Sequence, residues 1–215
     1  MGSVGQGFVR EREALRTTLA LLGPDAPTGC GSWTTTDLAV HVAGGEVAWA
    51  VPNAPFRLLV GHGVRLDRMA PFNDQALTRE RRRHGFDWAM RRLSREAPRL
   101  HRYGSVAAVS LLEMWAHHED VLDANDVGRC ASGVDLKPVL RVLVRYQRRV
   151  LRAHAVRVGS PQAVLFEPTP LVQVEVRGAP ADLARWLSGR GDLGGLTASG
   201  GDGDVEAIKG MVLRL

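Results

Sequence analysis

The chain has 215 residues, of which 45% are apolar and 24% are charged. These values are typical of an ordinary globular protein and exclude disordered, collagen-like and coiled-coil chains. No uninterrupted apolar run reaches the roughly 18 residues of a membrane span, and the opening MGSVGQGFVREREAL lacks the apolar segment of a secretory signal. We therefore expect a cytoplasmic protein with no membrane partner.

The positive charge is concentrated in one segment. The formal net charge is +5, and residues 79–102 contain nine arginines against three acidic residues. Because one segment accounts for the whole excess, we interpret it as the solvated face of a helix, and a nucleic-acid partner is not expected. The two cysteines, Cys30 and Cys130, are too few for a disulfide framework and are not spaced as a zinc knuckle.

The first two predicted elements are helices. Apolar residues recur at helical spacing across 6–22, and Gly23-Pro24 ends the pattern. A second helix begins where Thr34 is followed three residues later by Asp37, the spacing of a capping box. His41 lies on its apolar face. Residues 52–72 are rich in Pro and Gly and are interpreted as a long crossover.

Two more helices precede the point where the sequence pattern changes from long helices to short strands. The third covers 86–100, with Leu93 and Leu100 on its buried face. The fourth, at 105–125, is apolar on both flanks, which predicts burial on nearly all sides. A basic helix at 135–155 follows, then short strands in AVLFE and LVQVEVRG, a helix in PADLARWLSG and turns with one more strand and helix. The fold class is thus mainly α with a small α/β segment, divided into 1–156 and 157–215.

The fourth helix carries an unusual stripe of ionisable residues. At 100° per residue, Glu113, His117 and Asp120 lie along one line of this buried helix. Buried charge needs cations, hydrogen bonds or a metal. Glu113 and His117 are one turn apart, and His41 on the second helix can supply a third ligand. Three such ligands with an open position are typical of catalytic Zn²⁺.

The stripe has other interpretations. A Glu-x-x-x-His pair alone is weak evidence, since such pairs usually form a local hydrogen bond or face solvent. His118 points about 100° from His117 and is interpreted as a packing or surface residue, and Glu119 as solvated. For Asp120 we favour a role in orienting a ligand histidine, although direct coordination stays open.

Several segments resemble a known family. The segments are FVREREALRTTLALLGPDAPTGCGSW, WTTTDLAVHVAG and EMWAHHEDVLDA, with a looser echo in VEVRGAPADLARWLSGRGDLGGLTASG. Together they resemble the DinB-like, mycothiol-dependent maleylpyruvate isomerase superfamily, most closely an actinobacterial metal-binding branch. The resemblance implies a DinB-like four-helix bundle followed by a small α+β, reduced sterol-carrier-like segment. It also implies divalent metal, usually zinc, at His41, Glu113 and His117.

The resemblance also implies a chemistry. In the family, mycothiol is thought to bind the metal as a thiolate and add to a small electrophile, which gives isomerisation or S-transfer. An arginine is then expected to hold mycothiol or an acidic substrate, and Arg190 is the candidate; with Asp120 it completes the predicted catalytic residues. A monomer or homodimer is expected. The alternative is a non-catalytic metal-binding regulatory or binding protein on the same scaffold.

Overall fold

The computed structural model describes residues 2–47, 57–64, 78–128, 133–169 and 171–209. The described chain is mainly helical and carries a small four-stranded sheet near its C-terminal end. Most of the crossover predicted at 52–72 lies outside the described residues; within 57–64 there is a short helix at 57–61. No helix in the described ranges is both long and apolar enough to cross a bilayer.

Contacts divide the chain into two units, Met1–Gly61 with Arg65–Asp135, and His62–Val64 with Leu136–Leu215. The contact units do not test the domain boundary predicted after residue 156, because a unit defined by contacts need not fold independently. The boundary therefore stays a prediction. The second unit contains the basic helix that was predicted at 135–155.

Among the described residues of the first unit, the four longer α-helices are joined by a 3₁₀ turn between the last two. These are α1 (Ser3–Leu22), α2 (Thr35–Val47), α3 (Phe86–Leu93), the 3₁₀ turn (Arg99–Arg102) and α4 (Gly104–Ala124). α1 packs along α4, and their apolar faces supply the core through fully buried Phe8, Leu15, Leu111 and Trp115. This packing fixes the face that α4 presents to its other neighbours.

The third predicted helix is shorter than the sequence pattern indicated. α3 ends at Leu93, and Leu100 lies in the 3₁₀ turn with 40% of its surface exposed, so its predicted burial is wrong. Pro98 explains the early end, because the residue before a proline disfavours the helical conformation. The arginine-rich segment is a solvated surface, as predicted: seven of its nine arginines are exposed.

The second unit consists of a helix, a mixed sheet and two further helices. α5 (Lys137–Ala153) is followed by β1 (Val156–Ser160), β2 (Ala163–Phe166), β3 (Val174–Gly178), α6 (Pro180–Leu187), β4 (Leu196–Gly200) and α7 (Asp202–Lys209). The strand order is β2-β1-β3-β4, with β1 and β3 parallel and both outer pairs antiparallel. Val156 and Val174 are register partners and are fully buried, so the centre of the sheet forms part of the core.

Candidate metal centre

Two helices of the first unit carry the predicted ligands. α2 begins with the predicted capping box, in which the Thr34 amide donates to Asp37 Oδ2 at 2.9 Å and the Asp37 amide donates to Thr34 Oγ1 at 3.4 Å. The cap fixes the start of α2, and with it the helical register that sets the direction of the His41 side chain. Glu113 and His117 lie one turn apart on α4.

The three predicted ligands converge on one point. His41 Nε2 lies 3.8 Å from Glu113 Oε1, and the His41 and His117 rings meet edge to face with centroids 5.3 Å apart. One ligand atom of each residue lies within 4.8 Å of the corresponding atoms of the other two, and all three side chains are half-buried. Two nitrogens and one carboxylate oxygen form a donor set that suits Zn²⁺ and leaves an open position.

An arginine that the sequence did not single out completes this group. The Arg57 guanidinium is buried and forms an ion pair with Glu113 through Nη2 and Oε2. Its Nη1 donates to Ser110 Oγ at 3.3 Å, and Ser110 Oγ lies 3.0 Å from Nδ1 of buried His101. Glu113 therefore offers Oε2 to Arg57 and Oε1 towards the histidines. Arg57 lies inside the predicted crossover, where no periodic pattern marked it.

The environment sets the protonation of the three ligands. Burial raises the pKa of Glu113, but the Arg57 charge and the two imidazoles outweigh it and lower this pKa to about 2. Burial and the neighbouring His117 lower the pKa of His41 to about 4. Burial also lowers the pKa of His117, yet Asp120, Cys30 and Glu113 outweigh it and raise the pKa to about 9. At neutral pH Glu113 and His41 thus hold the protonation states of metal ligands, whereas His117 carries a proton that a coordinating ion must displace.

A second group of ligand-type side chains adjoins the first and shares His117. Cys30 Sγ lies 3.7 Å from His117 Nδ1 and 3.4 Å from Asp120 Oδ2, while His117 Nδ1 lies 3.8 Å from Asp120 Oδ2. The sequence stripe placed Asp120 beside His117, and the structure brings the two together. Cys30 was missed, and the only signal for it is its position between two glycines just ahead of Trp33.

The residues next to the stripe pack inside the unit. His118 is buried, with Nδ1 2.8 Å from Glu11 Oε1 and Nε2 2.9 Å from Thr18 Oγ1, and both partners lie on α1. It is therefore a packing residue, one of the two roles expected for it. The solvated position predicted for Glu119 is wrong: this residue is only 5% exposed, because α4 is covered on nearly every side.

Arg190, the second predicted catalytic residue, belongs to the other unit. It follows α6, where its Nη1 donates to the Ser188 carbonyl at 3.3 Å and its amide donates to the Arg185 carbonyl at 2.8 Å. These contacts are local to its own turn. Its role towards a thiol or a substrate stays a prediction.

Comparisons with known proteins give similarity at the level of structure. No protein-family model and no curated protein matches the chain. Among solved structures, the chain is similar to the mycothiol-dependent maleylpyruvate isomerase, with a TM-score of 0.50, 15% identity and 93% of each chain covered. It is also similar to a histidine-to-alanine mutant of that enzyme, with a TM-score of 0.52, 14% identity and the same coverage. The chain therefore has the fold of mycothiol-dependent maleylpyruvate isomerase, as the resemblance of its sequence segments predicted.

Proposed function

We propose that the protein is a divalent-metal-dependent enzyme of the mycothiol-dependent isomerase or S-transferase type. The observation that carries the proposal is the convergence of His41, Glu113 and His117 from two helices within the fold of an enzyme named as mycothiol-dependent. In the proposal these helices form part of a DinB-like four-helix bundle, and the protein acts in the cytoplasm.

His41, Glu113 Oε1 and His117 would hold the metal, for which zinc is the proposed ion. When bound, such an ion lowers the pKa of a coordinating thiol, so that a thiolate nucleophile is available at neutral pH. Arg57 keeps Glu113 ionised and occupies its second oxygen, which leaves Oε1 for coordination. Three protein ligands leave a position for the sulfur of mycothiol.

Neighbouring residues complete the proposed centre. The Trp33 ring lies against His41 with centroids 5.1 Å apart and provides an apolar wall that limits access of water. Asp120 faces Nδ1 of His117 and would orient the imidazole. Arg190 is proposed to bind an anionic group of the thiol or of a small electrophilic substrate.

The proposal is tested by substituting cobalt for the native metal and titrating mycothiol. We expect about one equivalent of metal at this centre and a thiolate-to-cobalt charge-transfer band on addition of the thiol. His117→Ala is expected to lose both metal and band, whereas His154→Ala, which removes an exposed histidine of the second unit, retains them. Calorimetry that shows undiminished thiol binding by metal-free protein would refute the coupling. A bound ion that is inert to the thiol would favour the non-catalytic alternative.

A further inference from the structure

The loop between α1 and α2 brings a thiol close to Nδ1 of His117. Cys30 Sγ, His117 Nδ1 and Asp120 Oδ2 form a triangle with sides of 3.4, 3.7 and 3.8 Å. All three side chains are half-buried. None of the three atoms belongs to His41 or Glu113, so this group has its own geometric centre beside the one described above.

The dimensions of the triangle match a face of a metal coordination sphere. Metal–ligand bonds of about 2.0–2.3 Å at tetrahedral angles place neighbouring ligand atoms about 3.3–3.6 Å apart. The sides of the triangle are within a few tenths of an ångström of these values. In the metal-free group the Cys30 thiol links the other two residues, since it donates to Asp120 Oδ2 and lies 3.7 Å from His117 Nδ1. The three donor atoms are therefore already held at separations that a coordinated ion requires.

The loop is built to hold Cys30 against α4. Thr28 Oγ1 donates to the Trp33 carbonyl at 2.8 Å and accepts from the Cys30 amide at 3.3 Å, which closes a tight turn around the cysteine. Asn125 at the end of α4 donates to the Pro27 carbonyl at 2.8 Å. Gly29 approaches the backbone of Asp120 so closely that a Cβ would lie 2.9 Å from its carbonyl oxygen. Cys30 thus reaches α4 through a constrained backbone.

We propose that Cys30, His117 and Asp120 form a second metal site, which takes a thiophilic divalent ion such as Zn²⁺ or Cd²⁺. The thiol of Cys30, which donates to Asp120 Oδ2, and the protonated imidazole of His117 each release one proton to solvent when Sγ and Nδ1 coordinate the ion. His117 contributes Nδ1, and Asp120 contributes Oδ2. The site shares His117 with the proposed centre, but it needs no added thiol, no turnover and no ligand from His41 or Glu113, so its failure and failure of the proposed function are distinguishable.

The test is a Cd²⁺ titration of purified, metal-free protein without added thiol, followed by the ultraviolet thiolate-to-cadmium charge-transfer absorption. We expect a saturable band in the wild type, its loss in Cys30→Ser and its retention in Cys130→Ser, which removes the other cysteine of the chain. His41→Ala separates the two groups, and the band is expected to persist in it. Asp120→Asn is expected to weaken Cd²⁺ binding at least tenfold.

Four outcomes overturn the inference: no band in the wild type, a band that survives Cys30→Ser, a band lost in Cys130→Ser, or a band lost in His41→Ala. Loss of the band in His41→Ala would mean that a single ion binds residues of both groups. Circular dichroism and the thermal midpoint of each variant establish that it is folded. Should Cys30→Ser fail to fold, unchanged Cd²⁺ binding in Asp120→Asn would overturn the inference, as would loss of the band in Cys130→Ser. Failure of the proposed function would instead appear as a missing cobalt band on mycothiol addition to Cys30→Ser protein.

Discussion

Glu113 shows how a single carboxylate serves two partners. Its Oε2 pairs with Arg57, and its Oε1 faces His41 at 3.8 Å. The pair is only partly shielded, because one quarter of the Glu113 side chain is exposed while Arg57 is almost fully buried. The ion pair therefore keeps Glu113 charged in the absence of a metal, and a bound cation would share that role.

Replacing Arg57 tests whether the ion pair and a bound cation both compensate the charge of Glu113. Arg57→Met is expected to destabilise the metal-free protein by about 2 kcal/mol, below the usual cost of breaking a fully buried pair because Glu113 is partly exposed. Added Zn²⁺ is expected to recover more stability in the variant than in the wild type, because the ion then compensates the unpaired carboxylate. Urea unfolding with and without zinc measures both effects. Arg91→Met, at an exposed arginine, is the control, and equal zinc effects in the two variants would contradict the account.

His101 makes a separate prediction about pH. It is 1% exposed, stacks on Phe8 and has a pKa lowered to about 4 by burial and by the Arg57 charge. Between about pH 4 and 6.5 the unfolded chain binds the extra proton, so stability falls as pH falls through this window and is fully present above it. The stability lost on acidification across this window is about 3 kcal/mol.

Urea unfolding from about pH 4.5 to 7.5 measures this dependence. His101→Asn keeps a polar atom near Ser110 but does not titrate, so its stability is expected to vary less with pH than that of the wild type. The free energy of unfolding is plotted against pH for both proteins. The difference between the two slopes separates the effect of His101 from that of other groups, His41 included. Identical slopes would show that His101 does not carry the effect.

The sequence predicted the residues that come from one regular element and missed those that depend on long-range contacts. Glu113, His117 and Asp120 share a stripe of one helix, so their proximity follows from helical geometry. Arg57 begins a short helix inside the predicted crossover and Cys30 lies in a loop, 56 and 87 positions from Glu113 and His117 respectively. No local periodicity encodes such contacts.

At the scale of elements, the loop 27–34 decides where Cys30 and Trp33 lie. Gly29 and Gly31 both have positive φ angles, 71° and 63°, which favour glycine. They differ in their surroundings: a Cβ on Gly29 would collide with the Asp120 carbonyl, whereas a Cβ on Gly31 would meet no atom within 4 Å. The two positions form a matched pair that separates backbone strain from steric collision.

Gly31→Ala is expected to cost about 1–2 kcal/mol from the left-handed backbone alone. Gly29→Ala is expected to cost at least about 1 kcal/mol more, because the loop must also move away from α4. That movement should weaken Cd²⁺ binding through Cys30, while Gly31→Ala leaves it nearly unchanged. Chemical denaturation and the cadmium titration measure the two effects. Equal losses of stability and of cadmium binding in both variants would contradict the tight contact between loop and helix.

Element boundaries were predictable where a chemical signal marks them. The Thr34–Asp37 capping box correctly predicted the start of α2. The end of α3 was misjudged because the apolar spacing continues to Leu100 while Pro98 interrupts the backbone. β1 was missed because VRVGS directly follows a helix, and its pairing with β3 is a non-local contact.

At the scale of the whole molecule, a buried ion pair joins three helices of the first unit. Arg12 on α1 donates to Glu46 on α2 at 2.5 and 2.8 Å and to the Leu93 carbonyl at the end of α3 at 2.7 Å. Both charged side chains are more than nine-tenths buried. Removing Arg12 leaves the buried Glu46 carboxylate with the longer contact to Arg92, whose Nη2 lies 3.4 Å from Glu46 Oε2.

Arg12→Met is expected to destabilise the protein by about 3–5 kcal/mol. The matched control is Arg16→Met one turn further along α1, where a partly exposed guanidinium pairs with the exposed Glu13 carboxylate. Such surface pairs contribute about 0–1 kcal/mol, so the control is expected to change stability little. Urea unfolding measures the loss of stability in each of the two variants. Comparable losses would show that burial does not distinguish the two arginines.

Composition and periodicity were sufficient for the mainly helical class, the small C-terminal sheet and the solvated arginine face. Each follows from a pattern confined to one segment: 3.6-residue periodicity in the helices, short β-rich runs in AVLFE and LVQVEVRG, and charge crowded into 79–102. The way the chain divides into contact units depends instead on which elements touch. Local sequence patterns carry little information about which elements contact one another.

In the proposed site, α2 and α4 present His41, Glu113 and His117 to one shared ion. Anomalous X-ray scattering at the zinc edge, from crystals of zinc-loaded Cys30→Ser protein, tests it most directly because the second group of ligands is then disabled. The account predicts a peak about 2.0–2.2 Å from one atom of each of these three residues. A peak bound without His41, or no peak among the three side chains, would contradict it.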